Sequence, residues 1–462
     1  MMTEAFEMKS TISRIAKRRS SARRALSIAL ILFFLASEAH PQTGSESDSL
    51  HANVTLLNCV RYALVHQPAV KQSLLDEEIT ENAISGRLAG WYPQLNFNYS
   101  IQHNPQLPTS IAQGSAVKIG LANSSAGQIS LSQTLFNRDV FFASSTAGDV
   151  RRRMTEQTIS AKINTVVQVS KAFYAVLVTE KELEVLDEDI VRLERSFKDA
   201  YDLYEGGIAD KIDYKRATIA LNNVQAERRQ NAELLQARYA FLREQMGLPS
   251  NARLKLSYDS GQMEREALFD TLQTLHYESR IEYQLLETQK RLQEANLSYT
   301  KWSFLPTMSL NGSYSANYMS DGLAQIYGHN YPSSFINFQL SFPIFEGGRR
   351  LDEIGQARLE VERIEYDFIS LRNSMSVEFT LAMANYKSDL NNYRLLGANL
   401  ELAKDVYETI ELQYKAGTKT YLEVITAETD LRTAQVNHTN ALYEVLSSKL
   451  DVQRALGTLR LQ

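Results

Sequence analysis

Two tracts of the sequence, residues 109–248 and 344–462, contain no proline, although the chain has nine, at 41, 68, 93, 105, 108, 249, 306, 332 and 343. An interior proline costs a helix roughly 3 kcal/mol, so long proline-free tracts are where very long helices can form. In the second tract Tyr386, Tyr393, Leu400, Tyr407 and Tyr414 recur every seven residues, with Leu396, Ala403 and Ile410 set between them. That alternation of three and four is a coiled-coil seam, and Leu183, Leu186, Ile190, Leu193, Phe197, Tyr201 and Tyr204 carry it in the first tract. From Phe136 to Tyr204, and again from Phe345 to Tyr414, is about 70 residues, which as helix reaches on the order of 100 Å. No compact domain is that wide, so these helices must stand as pillars.

The pillars belong to two copies of one unit. Pro93 in Trp91-Tyr92-Pro93 returns as Pro306 in Phe304-Leu305-Pro306, and Phe136 in Leu135-Phe136-Asn137-Arg138 as Phe345 in Ile344-Phe345-Glu346-Gly347. Gly207 in Tyr204-Glu205-Gly206-Gly207 returns as Gly417 in Tyr414-Lys415-Ala416-Gly417, and Gly247 as Gly457. The offsets, about 210 residues each, keep order and spacing, and that period is too long for a solenoid, so each copy is half of one architecture. After its glycine tip each long helix turns back for only about 40 residues, some 60 Å, too short to cover its partner. Helix-like stretches of about 22 residues, Ala69 to Trp91 and Ile281 to Trp302, supply the missing length. Short and return helices are therefore expected to stack end to end beside the long ones.

Between short and long helix the period drops from 3.6 to 2. Leu95, Phe97, Tyr99 and Ile101 alternate with Asn96, Asn98, Ser100 and Gln102, and Ile336, Phe338, Leu340 and Phe342 with Asn337, Gln339 and Ser341. Ile129 and Leu131 in the first copy, and Met308, Leu310 and Tyr314 in the second, do the same. The expectation is four strands, near 94–103, 126–135, 307–318 and 334–343, each apolar on one face and uncharged polar on the other. That pattern suits an outer-membrane barrel with lipid outside and water inside. Four strands cannot close a barrel and open edges cannot face lipid, so several chains must contribute. The joining segments His103 to Gly127 and Tyr318 to Pro332, rich in Gly, Pro, Ser and Asn, are expected to be surface loops.

At the N-terminus Lys17-Arg18-Arg19 and Arg23-Arg24 precede an apolar run from Ala25 to Ala36 and then Ser37-Glu38-Ala39. This is the pattern of a secretory signal cleaved after Ala39; the run reaches only about 18 Å as helix, short of a ~30 Å hydrocarbon layer. Removing residues 1–39 takes away 7 Lys/Arg and 3 Asp/Glu and leaves 42 basic against 51 acidic groups, a balance that argues against nucleic acid as a partner. The single Cys59 excludes an internal disulfide. The seven histidines are scattered without a paired ligand spacing, and no phosphate loop, Gly-x-Ser-x-Gly or Cys cluster occurs, so no enzyme, cofactor or metal site is expected. The division expected is a signal segment 1–39, a lead 40–53, a first repeat 54–248, a linker 249–265, a second repeat 266–457 and a tail 458–462.

Together the duplicated strand-pair and coiled-coil unit, Trp91-Tyr92-Pro93-Gln94-Leu95, Leu135-Phe136-Asn137-Arg138, the two Tyr-x-x-Gly tips and Gly347-Gly348-Arg349-Arg350 resemble the TolC-like outer-membrane efflux proteins. Val54-Thr55-Leu56 with Gln67-Pro68-Ala69 is similar to that family's opening, and the resemblance runs to about Gly457. It implies a membrane α+β fold: a homotrimer whose twelve strands, four per chain, form one barrel in outer-membrane lipid. A long helical coiled-coil barrel would continue it into the periplasm of a Gram-negative bacterium. It further implies a passive exit duct working with a periplasmic adaptor and an inner-membrane transporter, with cargo left open. A periplasmic coiled coil that spaces or tethers the envelope is the alternative, which explains the heptads and leaves the strands unused.

By the same resemblance Tyr414, Lys419 and Glu423 fall on gate-tethering and constricting positions at the second tip, 414–418, and Asp213 on the acidic partner position beyond the first, 204–208. Three copies of a carboxylate around an axis would make a cation-selective ring, and a Lys–Asp bridge could hold helices closed. Thr426 stands where some relatives have a second acid, which implies a weaker ring. Seam packing accounts equally for Tyr414, and solvation for Glu423 and Asp213. The glycines at the tips, Gly206, Gly207 and Gly417, are expected where a hairpin needs positive φ. With Ile208, Ala416 and Thr418 they are the implied adaptor contacts.

Overall fold

The structure is a computed structural model that describes residues 54–459 apart from 113–114, 209 and 258–259. The signal segment, the whole of the lead and the tail beyond residue 459 lie outside the described residues. Element order is α1 (Leu56–His66), α2 (Pro68–Leu88), β1 (Gln94–His103), β2 (Thr109–Ala112), β3 (Ser115–Lys118), β4 (Asn123–Phe136), α3 (Arg138–Glu205) and α4 (Lys211–Met246). The second half adds α5 (Ser260–Ala267), α6 (Ile281–Lys301), β5 (Thr307–Ser320), β6 (Asn330–Ser341), α7 (Arg349–Lys415) and α8 (Tyr421–Leu456).

The long helices α3 and α7 have 68 and 67 residues, about 100 Å each. The return helices α4 and α8 have 36 each, and the short helices α2 and α6 have 21 each. Pro68 forces the break between α1 and α2, since Gln67 before it is held extended at ψ 124°. Gly247 ends α4 at φ +72°, and a Cβ there would stand 2.7 Å from the His66 carbonyl oxygen, just before α2. Gly457 ends α8 at φ +70°, where a Cβ would stand 2.9 Å from the Ser279 carbonyl oxygen, just before α6. Ser279 Oγ also donates to Leu456 O at 3.0 Å. Return and short helix thus abut end to end in both copies.

The four main strands form one antiparallel sheet in the order β1-β4-β5-β6. Register places Phe97 opposite Ile129 and Ile129 opposite Tyr314, Leu95 opposite Leu131, and Leu310 opposite Phe338, which collects the apolar residues on one face. That face is bare: Phe97 is 69% exposed and Ile336 83%. On the other face Gln128 Nε2 donates to Ser313 Oγ at 2.8 Å and Ser132 Oγ to Asn311 Oδ1 at 2.9 Å. β6 stops at Ser341 because Pro343 has no N–H for the ladder. The joining segments hold more order than their composition promises. Thr109–Ala112 pairs with Ser115–Lys118 as a hairpin, and Leu323–Gly328 forms a 3-10 turn whose Tyr327 hydroxyl lies 2.5 Å from that of Tyr99. Ile111 and Val117 in this hairpin are the β-favouring residues that a reading by loop composition passes over.

Helix order repeats strand order. α2 packs on α3, α3 on α6 and α6 on α7; below them α4 packs on α3, α3 on α8 and α8 on α7. Arg151–Glu81 (2.5 Å), Arg291–Asp149 (2.8 Å) and Lys171–Asp451 (2.7 Å) bridge the neighbours. The main core lies mid-height, where α1, α5 and the ends of α4 and α8 close over Phe173 and Tyr386, both 0% exposed. Burial lifts the Cys59 thiol there to about 12, which keeps it inert.

The helical joints supply a test. Gly247→Ala and Gly457→Ala should each destabilise the protein by at least ~2 kcal/mol, through a left-handed Ala and a clash with backbone. Gly148→Ala, whose Cβ would meet nothing within 4 Å, should be neutral or stabilising by about 0.5–1 kcal/mol. Thermal denaturation of the purified protein in detergent reads the difference.

Candidate functional site

At the foot of each pillar the chain reverses through the same hydrogen-bond pattern. Gly207 (φ +71°) donates to Tyr204 O at 3.0 Å and Ile208 N to Leu203 O at 2.9 Å. Gly417 (φ +74°) donates to Tyr414 O at 2.9 Å and Thr418 N to Gln413 O at 3.0 Å. These paired bonds satisfy the last carbonyls of α3 and α7. Gly206 does not share the role expected of it: at φ −71° it is right-handed, as Ala416 is at φ −83° in the second copy. Only one residue per turn must enter the left-handed region.

The two tips restart their helices differently. Asp210 caps α4, its Oδ1 accepting from Ile212 N at 2.8 Å. At α8 Thr420 and Glu423 form a capping box, with Glu423 Oε2 accepting from Thr420 N at 2.8 Å and from Thr420 Oγ1 at 2.9 Å. Glu423 Oε1 accepts from Lys419 Nζ at 2.6 Å. The Lys419 bond first, then those from Thr420, hold the Glu423 carboxyl down at about 2. Within the chain, therefore, Lys419 is bonded to Glu423 rather than to Asp213. Lys419 stands just before the Thr420 cap and Glu423 in the first turn of α8, so the capping box that folds Glu423 back also brings it to Lys419.

Between the tips lies an aromatic cluster. Tyr421 is buried with Ala200 and Ala217, and Phe197, Tyr214, Tyr414 and Ile425 close round them. Ring centroids lie 5.8 Å apart for Tyr414–Tyr421 and 5.0 Å for Tyr204–Tyr214. Tyr414 is half-buried in this seam, and burial, then the charges of Asp213 and Asp199, push its hydroxyl upward. Ile208 at the very tip is 79% exposed. The charge of Asp213 thus reaches Tyr414 and Tyr421, while Lys419 and Glu423 bond to each other.

Deeper in the same region are two acids that the sequence reading missed, Asp189 (1% exposed) and Glu428 (2%). Their signal was positional: Asp189 is three residues past Leu186 and Glu428 four past Val424, both on the inward stripe. Among the described residues no group of three or more His, Cys, Asp or Glu is placed to hold a metal ion.

With this geometry in view, comparison with known proteins is decisive. The sequence model of the outer membrane efflux protein family matches residues 60–248 and 281–458. The chain belongs to the outer membrane efflux protein family. Outer membrane protein TolC of Vibrio cholerae serotype O1 is 23% identical to this efflux protein over 385 residues, covering 82% of this chain and 84% of that one. The Campylobacter jejuni CmeC outer membrane channel superposes with a TM-score of 0.71 at 15% identity, over 87% of this chain and 85% of that one. The Neisseria gonorrhoeae MtrE outer membrane channel, in its open state, gives 0.66 at 18% identity, over 87% and 88%. The efflux protein therefore has the TolC-like channel fold, and its relatives are channel proteins. It is an exit duct in the outer membrane of a Gram-negative bacterium, with its helical part in the periplasm. Among the described residues no helix is long and apolar enough to cross a membrane, whereas strands of 10 to 14 residues have the length a tilted barrel strand needs.

The capping box is testable. Thr420→Ala should cost about 1 kcal/mol of local helix stability and move the Glu423 titration upward toward the ordinary carboxylate range. In the unmodified tip the Glu423 contribution is present above that range and lost as pH falls through about 2. Carboxyl-selective carbon NMR titration of Glu423 reports both.

Proposed function

We propose that three copies of this chain close into a twelve-stranded barrel and a helical tunnel beneath it. Through that duct substrates would pass passively from an inner-membrane transporter, by way of a periplasmic adaptor, to the exterior. The observation that carries the reading is the coincidence of open edges. Among the described residues β1 and β6 have no partner on their outer sides, and the helices in line with those edges are the ones with bare apolar stripes. α7 exposes Leu359, Tyr366, Leu395 and Leu402, while α2 and α4 expose Ile79, Ile212, Ile219 and Phe241. One copy's α7 side facing the next copy's α2 and α4 side is a heterologous contact, which closes as a ring. Two copies would give eight strands, an interior that side chains fill; three is the first multiple that leaves a water-filled bore. The small polar inner face, Ser130, Ser132, Asn311 and Ser313 among it, suits that bore.

The tips serve as an iris-like gate in this proposal. Asp213 and Tyr414 belong to the seam between pillars, Lys419 and Glu423 to the second tip alone, so opening is asymmetric within each subunit. Gly206, Gly207, Ile208, Ala416, Gly417 and Thr418 form the exposed turns that an adaptor hairpin would meet. The relative MtrE is known in an open state, which supports a moving entrance. Residues 1–39 act as the secretory signal, and the two repeats are the duplicated pillars of the wall. A periplasmic spacer is disfavoured by the bare apolar face of the sheet, which water would not tolerate at this extent.

Single-channel recording in planar bilayers tests the channel. Glu423→Gln should lower cation-over-anion permeability, read as a reversal potential, and Lys419→Ala should raise it and increase open time several-fold. A protein that conducts nothing in any of these forms, or that fractionates with soluble periplasm, overturns the reading. Native mass spectrometry should show three chains.

A further inference from the structure

Above the aromatic cluster α3, α4 and α8 line a partly open cavity of about 360 Å³, with Asp189, Leu193, Arg216, Ile219, Glu428 and Arg432 among its walls. Asp189 is fully served: Oδ1 accepts from Arg192 Nη2 at 3.0 Å and Oδ2 from Arg432 Nη1 at 3.2 Å. Glu428 is not. Neither of its oxygens has a hydrogen-bond partner among the described residues; Arg192 Nε, itself buried without one, stands 3.6 Å from Oε1, an ion pair too long for a hydrogen bond. Two carboxylates thus share two guanidinium groups, and Asp189 holds the good geometry of both.

An ionised carboxylate buried without donors is costly, and a neutral carboxylic acid removes most of that cost while gaining a proton of its own to donate. Every element around Glu428 bears on the choice. Its own helix offers Arg432; α3 offers Asp189 and Arg192; α7 offers Tyr407 and Glu411; α4 offers Arg216 across the cavity. Burial first, then the Asp189 charge, raise the Glu428 carboxyl to about 7 against the two arginines. Tyr407 is raised in turn to about 12, by burial and then by Glu428 and Glu411, so it brings no compensating charge.

We propose that Glu428, beside Asp189, is a proton-binding site that holds α8 against α3 above the tip, and that its deprotonation loosens the tip. The proposal rests on the reading of the tips as a gate. The sign follows from a carboxyl raised above its ordinary value. Packing is undisturbed below the ordinary carboxylate range, loses stability as pH rises from there, and bears the full penalty above about 7. Glu423 behaves oppositely, losing its bonds only in strong acid, so the two acids can be told apart.

The test uses the intact protein in lipid nanodiscs. Infrared difference spectra between about pH 5.5 and pH 8.5 should show a neutral-carboxylic carbonyl band that titrates near pH 7 and is missing in Glu428→Gln. Spin labels on Thr418→Cys should report a wide-tip population that rises roughly tenfold between about pH 6 and pH 8, following one proton. Glu428→Gln should keep the tip narrow at both values. Asp189→Asn, a second variant should the first fail to assemble, should shift the carbonyl titration to lower pH. A missing carbonyl band, or a Glu428→Gln tip that opens with the wild-type midpoint, overturns the proposal while leaving the gate intact. Tips that never separate at any pH, even in Lys419→Ala, overturn the gate reading and the proposal with it.

Discussion

The controlling constraint is that a strand edge cannot be left open in hydrocarbon. Each unpaired N–H and C=O on β1 and β6 would have no water to turn to. The register of the sheet makes the lipid side unambiguous, because Phe97, Ile129 and Tyr314 stand in one cross-strand row. A slip of one residue would turn Asn96 and Ser130 outward instead. The helices inherit the problem. Since each follows or precedes a strand, the order of strands fixes the order of pillars, and the edges of the sheet become the edges of the wall. Closure in the membrane therefore obliges closure in the periplasm.

Stability along the pillars is uneven, and the proposed gate would depend on this unevenness. Among the described residues, the mid-height cluster joins α1, α3, α4, α5, α7 and α8, whereas the cluster at the tip has only Ala200, Ala217 and Tyr421 fully buried. A buried Leu or Phe contributes about 1.5–3 kcal/mol, whereas a solvent-screened ion pair such as Arg228–Asp187 contributes little. The collar at mid-height is thus fixed while the feet depend on a thin seam. Regions with few buried apolar contacts are those that open locally at low cost.

Much of this was legible in the sequence because it obeys periods. Proline absence marks the pillars, period 2 marks the strands, and the recurring Gly207 and Gly417 mark the turns, each a local consequence of backbone chemistry. What escaped depends on pairing across space. The hairpin of Thr109–Ala112 with Ser115–Lys118 lies in a segment whose Gly and Pro content signals loop. The bonding of Lys419 to Glu423 required knowing that α8 begins at Tyr421, since only then does Glu423 fold back over the Thr420 cap toward the residue before it. Glu428 drew no notice at all, because a charged residue on a heptad's inward stripe announces itself only once the stripe's partners are placed.

The two copies also differ in an informative way. Their mid-height joints stay alike: Gly247 against His66 and Gly457 against Ser279 meet the same steric demand, and any side chain in either place would push the stacked helices apart. Their feet do not. The first tip restarts on Asp210 alone, while the second adds Lys419, Thr420 and Glu423 as a closed hydrogen-bonded unit. A duplicated pillar needs identical joints because both halves must share one wall height. Its feet are under no such demand, since a Cβ at Gly207 or Gly417 would meet nothing within 4 Å. The freedom to diverge therefore lies at the tips, where the second foot adds a hydrogen-bonded cap that the first lacks, while one aromatic cluster joins the two.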